Sequence, residues 1–194
     1  MPLKTPPAVE PITDAELQAH LGMDAPDFAA RLDVLHSNLT AARQLCESDG
    51  EGAGIAFITQ TWTYYADAFP LDNTQINLRG PLQSVASVKF IDASGTLQTL
   101  NPLLYQVDTI KSRILPGFEQ SWPQTRAVAN AVQVEYICGF GNAAAVPEMI
   151  KQAIKLVVGQ NERYQTVIEG GLRPLDMPNA AKQLLRPFID YRNR

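Results

Sequence analysis

The hydrophobic period of this chain changes twice along its length, and that confines it to a mixed architecture with helices on both sides of a block of strands. Between Phe28 and Cys46, apolar residues recur at alternating spacings of four and three (Phe28, Leu32, Leu35, Leu39, Ala42, Cys46), the core stripe of a helix. From Ile58 the period falls to two through Trp62 and Tyr64, in a segment rich in Thr and aromatics that suits a half-buried strand. The helical period returns in Met149, Ile150, Ala153, Ile154, Val157 and Val158. The layout is α+β: a small helical bundle of two N-terminal and two C-terminal helices, with an antiparallel β-sheet region inserted between them.

The boundaries follow from local chemistry. Residues 1–11, with Pro2, Pro6, Pro7 and Pro11, form an extended arm, because proline lacks a donor and fixes φ. Residues 12–52 hold the first two helices. Thr13 and Glu16 have capping-box spacing, Ile12 and Leu17 the staple positions, and Gly22 the place of a helix-ending glycine. The second helix is predicted to run unbroken from Asp24 through Cys46 to the stop at Gly50, Gly52 and Gly54. Residues 55–138 are the β region, with a hairpin over 85–100 turned by Asp92 to Gly95 and a loop over Pro116 to Pro123. Residues 146–186 carry the C-terminal helices. Pro147 suits the first helical position and Glu148 the positive dipole end. Pro187 forbids regular continuation, so residues 187–194 are expected to be an exposed tail with apolar and basic residues together.

At 194 residues the chain is long enough to bury a real core. No run approaches the ~20 apolar residues that a bilayer span needs, and Met1 to Pro7 lack a signal-peptide core. The expectation is a soluble protein with no membrane contact. Cys46 and Cys138 stand apart from any CxxC or Cys/His cluster and read as packed, reduced thiols.

Each residue set that could carry a reaction fails its spacing requirement. His20 and His36 lack HExxH spacing, no GxSxG is present, and neither cysteine has a catalytic signature. Gly139-Phe140-Gly141-Asn142 sits where a phosphate loop would, yet lacks GxGxxG and a Gly-Lys-Ser/Thr ending, so it reads as a tight turn. The chain is expected to be non-enzymatic, with no catalytic, cofactor or metal site. Its net charge of -4 is unevenly spread, acidic over residues 1–52 and basic over 146–194. No dense Lys/Arg stripe is interleaved with stacking aromatics, and Trp62, Tyr64 and Tyr65 alternate as sheet residues do. Trp122, in a loop, is the best surface aromatic for a partner contact, against the competing reading of burial on its own sheet.

In order and spacing, several segments together resemble the head-tail connector (adaptor) family of tailed phages, in its prophage branch described as DNA-packaging proteins. They are the capped helix from Ile12 to Leu21, Ile58-Thr59-Gln60-Thr61-Trp62, Gly80 to Val88, Tyr105-Gln106-Val107-Asp108, Ser121-Trp122-Pro123, and Gly139 to Pro147. The resemblance covers nearly the whole chain. It implies a structural subunit made in the host cytoplasm and placed in the virion neck. There it would form a homo-oligomeric ring, a dodecamer, under the portal vertex, extending the DNA channel and offering a platform for the stopper or tail. DNA would pass without sequence-specific binding. In this frame Phe188, Tyr191, Arg192 and Arg194 are the expected portal-binding residues, and Glu10, Asp14 and Asp24 the expected channel-facing acids. The longer ending after Pro187 departs from the family's usual short one. The alternative is a DNA-packaging accessory that binds DNA directly, and a steep salt dependence would mark it.

Overall fold

The structure, a computed structural model, describes residues 1–165 and 177–191. In chain order the elements are β1 (Leu3–Thr5), α1 (Asp14–Leu21), α2 (Ala25–Ala30), α3 (Leu32–Glu47), β2 (Gln60–Ala66), β3 (Ile76–Asn77), β4 (Leu82–Ile91), β5 (Leu97–Thr99), β6 (Tyr105–Asp108), β7 (Arg113–Pro116), β8 (Val132–Cys138), α4 (Glu148–Gln165) and α5 (Asn179–Leu185). The class is α+β. The chain divides into two compact units, one of residues 1–8 and 59–140, the other of 9–58 and 141–194.

In the helical unit the capping box forms as its spacing requires. Glu16 N–H donates to Thr13 Oγ1 at 3.3 Å, and Thr13 N–H donates to Glu16 Oε2 at 2.8 Å. Gly22, at φ +64°, closes α1 in the left-handed region. The predicted single second helix is two: Arg31, at φ −114° and ψ 8°, separates α2 from α3. No proline or glycine marks the break. Arg31 instead sends its guanidinium to Glu162 Oε2 at 2.6 Å, a tertiary tie that local sequence does not announce. The apolar stripe still points inward, with Phe28, Leu35, Leu39, Ala42 and Cys46 buried. Ile150, Ala153, Ile154, Val157 and Val158 of α4 are buried too, with Ala181 and Leu185 of α5. Residues 55–58 belong with the helices, not with the β region: Phe57 N–H donates to Glu47 Oε1 at 2.7 Å.

The β unit holds two antiparallel sheets rather than one. The first has strand order β1-β2-β8-β4-β5 and the second β3-β7-β6. On the central strand β8 burial alternates strictly. Val132, Val134, Tyr136 and Cys138 face inward, while Gln133, Glu135 and Ile137 face out. The proline-rich arm is not a free extension. Its Leu3 and Thr5 pair with Trp62 and Thr61, adding an edge strand, the sheet position that flanking prolines tolerate. Asp92 turns the β4–β5 hairpin by accepting from Ser94 N, Ser94 Oγ and Thr96 N through one oxygen and from Gln98 Nε2 through the other.

Candidate assembly surfaces

The perturbed titrations fall at structural positions, dispersed along the chain. Burial pushes the Cys46 thiol up to about 12, with the neighbouring Glu47 charge adding to the effect. Burial also raises the Tyr64 and Tyr105 hydroxyls. Glu16 and Glu51 are lowered chiefly by backbone N–H donors, from Thr13 and Met177, and Asp108 chiefly by Lys111 N–H. Asp92 is lowered to about 2, first by the Ser94 hydroxyl. These are caps, turns and packed rings, not convergent groups in one cleft. Among the described residues no cluster of three His, Cys, Asp or Glu is gathered, and no helix is long and apolar enough to cross a membrane. His20 lines a groove of about 800 Å³ in the helical unit with Leu21, Met23, Arg31 and Leu156. The Gly139 to Asn142 segment is a strand-to-helix turn: Gly139 and Gly141 take φ +122° and +119°, and Asn142 caps the following 3₁₀ turn.

The three acids expected to face a channel are each held by a partner. Glu10 accepts from Arg43 Nε at 2.8 Å and from Thr40 Oγ1 at 2.9 Å, Asp14 meets His36 Nε2 at 2.8 Å, and Asp24 caps α2 through Asp27 N–H at 2.9 Å. Their first roles are therefore within the helical unit.

Trp122 is turned inward, which agrees with the reading of burial and not with that of a surface contact. It is 8% exposed, its ring stacks on Phe69 at 4.8 Å, and Nε1–H donates to Thr74 O at 2.9 Å. The indole finds in the segment between β2 and β3 both the flat apolar partner and the acceptor that a buried Trp needs.

The tail expected to be exposed after Pro187 is docked along most of its described length. Arg186 to Phe188 form a 3₁₀ turn, Phe188 and Ile189 are half-buried, and Asp190 is buried with its N–H on Ala53 O at 2.8 Å. Arg186 and Pro187 are exposed within the turn, and Tyr191, 67% exposed, points outward beyond it. Arg192 and Arg194 lie outside the described residues.

The sequence reading missed a set of exposed apolar side chains in the β unit. Leu71 and Leu103 are each 85% exposed and Phe118 82%. Register gathers them. Tyr105 pairs with Pro116, and Gly117 N–H donates to Leu104 O at 2.9 Å, so Leu103 and Phe118 flank one end of the second sheet. Ile76 pairs with Ile114, and Trp122 N–H donates to Asn73 Oδ1 at 3.0 Å, which brings Leu71 to the same end. Ile110, 94% exposed, occupies the opposite end at the β6–β7 turn. The available signal was an apolar residue set inside turn chemistry, as in Pro70-Leu71-Asp72-Asn73 and Asn101-Pro102-Leu103.

No protein-family model and no curated protein matches this chain. Solved structures do share its fold. A chain of a virion of the native gene transfer agent (GTA) particle superposes with TM-score 0.73 at 22% identity, over 99% of this chain and 97% of that one. A chain in the neck of the native GTA particle, computed with C12 symmetry, gives 0.71 at 23%, and one in the neck of the empty particle, computed with C6 symmetry, 0.71 at 22%, each with the same coverage.

Proposed function

We propose that this chain is a structural subunit of the neck of a tailed-phage-like particle, a head-tail connector that closes into a ring beneath the portal. One observation carries the reading: chains of GTA particles and their necks have this fold from end to end, with no large insertion on either side. The C12 and C6 symmetry of those necks supports a closed ring, with twelve copies as the number to test. The ring would extend the DNA channel and seat a stopper or tail. Charge fits a passage that does not grip DNA: the N-terminal 52 residues are acidic, and the chain as a whole is net negative. Glu10, Asp14 and Asp24 are proposed to contribute to that field while holding their partners.

The portal contact is proposed at the end of the chain, with Tyr191 as its described outward residue, Phe188 as packed support, and Arg192 and Arg194 as charges. Because Asp190 is bonded to Ala53, deletion from Pro187 would damage the helical unit itself. Tyr191→Ser combined with removal of residues 192–194 is the cleaner variant.

Imaging the neck of particles that carry this chain tests the reading. A closed ring of it between portal and tail is the expected result, and its absence from the neck overturns the proposal. Weak, salt-insensitive DNA binding by the purified protein is expected alongside. A steep salt slope would move the assignment to a DNA-binding packaging accessory.

A further inference from the structure

The two layers of the β unit present different surfaces. Phe90, whose partner on β8 is Val132, meets Phe69, and Phe69 stacks on Trp122. The loops that carry Leu71, Leu103 and Phe118 therefore belong to the layer over the inner face of the five-stranded sheet. The outer face of that sheet is a shallow concavity of about 390 Å³. Leu3, Lys4, Tyr65, Lys89 and Glu135 are among its lining residues. Lys4 is paired with Glu135 at 2.7 Å, whereas Lys89 has no ion pair or side-chain hydrogen bond among the described residues. Leu3 and Tyr65 are 40% and 41% exposed.

Taking the ring proposed above as its premise, we propose that the apolar rim of Leu71, Leu103 and Phe118 docks into the outer-face concavity of the next copy's five-stranded sheet, with Asp72 and Glu119 facing Lys4 and Lys89. Ring symmetry sets identical units at equal height and radius, so neighbouring β units are natural contacts. A closed ring is heterologous, and needs two different patches that fit each other. The rim supplies one: three large apolar side chains nearly fully in water, an arrangement that folding alone does not explain. The rim turns also carry two exposed acids, Asp72 beside Leu71 and Glu119 beside Phe118. The concavity supplies the other patch, with an aromatic ring, an exposed leucine and the aliphatic stems of two lysines; Lys4 shares its charge with Glu135, so Lys89 carries most of the charge that opposes those acids.

A photo-reactive phenylalanine analogue at position 118 of the full-length chain tests this in assembled particles built from a mixture of isotopically light and heavy subunits. The expected adduct joins light to heavy chains and maps to the peptides that hold Lys4, Tyr65 or Lys89. An adduct confined to one chain, one on another part of the neighbouring copy, one on a different protein, or none at all overturns the docking while an imaged ring still stands. Absence of the ring overturns the premise instead. A charge exchange supplies a second readout: Glu119→Lys or Lys89→Glu alone lowers the yield of assembled necks by about tenfold, and the double exchange restores it. If the double exchange stays as impaired as either single variant, the pairing is wrong.

Discussion

The guanidinium of Arg43 joins Glu10 to Glu47, donating from Nε at 2.8 Å and from Nη1 at 2.7 Å, with both Arg43 and Glu47 almost fully buried. Glu47 in turn accepts from Phe57 N–H, so this one side chain links the start of the helical unit, α3 and the segment that leaves it. Arg43→Ala strands the Glu47 charge in the interior and should cost about 3–5 kcal/mol. Glu10 is partly solvated, so Glu10→Gln should cost about 1 kcal/mol, below the roughly 1.5–3 kcal/mol of a hydrogen bond to a buried charged group. Urea unfolding of both variants measures the difference, and equal losses would refute the central position of Arg43.

Gly52 is required for close approach. A Cβ there would lie 2.4 Å from Cys46 O and 2.5 Å from Leu45 O, both backbone atoms at the end of α3. Gly52→Ala should destabilise by about 1–3 kcal/mol, the usual scale of overpacking. Gly50, with nothing within 4 Å of its Cβ position, is the internal control: Gly50→Ala should be near neutral.

These positions show what could be read from sequence and what could not. The capping box, the core stripe from Phe28 to Cys46 and the hairpin at Asp92 are local, because the residues that cause each element lie within a few positions of it. The break at Arg31 has no local signal and its guanidinium reaches the distant Glu162, while the pairing of the arm depends on β2. The inward turn of Trp122 depends on Phe69 and Thr74. Each partner is distant in sequence, so spacing alone is silent about it. The acids read as channel-facing show the same limit, since charge counts do not reveal that Glu10 has Arg43 and Thr40 beside it.

Asp92 should make the β4–β5 hairpin acid-sensitive in a defined window. Its folded pKa, about 2, lies below the ordinary 3.8, so its contribution is complete above the ordinary value and declines as pH falls through about 2. Amide protection factors at Ser94 and Thr96, taken relative to the intrinsic exchange rate at each pH and followed from pH 5 downward, should fall in that range. Asp92→Asn, which cannot be an ionised acceptor, should abolish the pH dependence. If its exchange profile kept the same acid step, another group would be responsible.

Cys46 should be chemically silent in the folded protein, since burial holds it as a neutral thiol with its pKa near 12 and thiolate is the reactive form. Iodoacetamide at pH 8 should leave Cys46 unlabelled in the native state and alkylate it once urea unfolds the chain. Rapid native labelling would mean that the α3 core opens on a timescale that its burial does not allow.

The Phe69–Trp122 stack makes the loop before β8 part of the core, and this sets the last prediction apart from an interface role. Trp122→Ala removes an almost fully buried ring together with its bond to Thr74 O, and should cost about 3–5 kcal/mol of stability. Phe118→Ala, four residues away but 82% exposed, should leave stability within about 0.5 kcal/mol of the parent chain. The two variants therefore separate folding from assembly in one loop. Trp122→Ala lowers the urea midpoint, whereas Phe118→Ala leaves the midpoint in place and reduces incorporation into necks. A large stability loss in Phe118→Ala would mean that its ring is needed for folding, and would remove the reason for assigning it to a neighbouring copy.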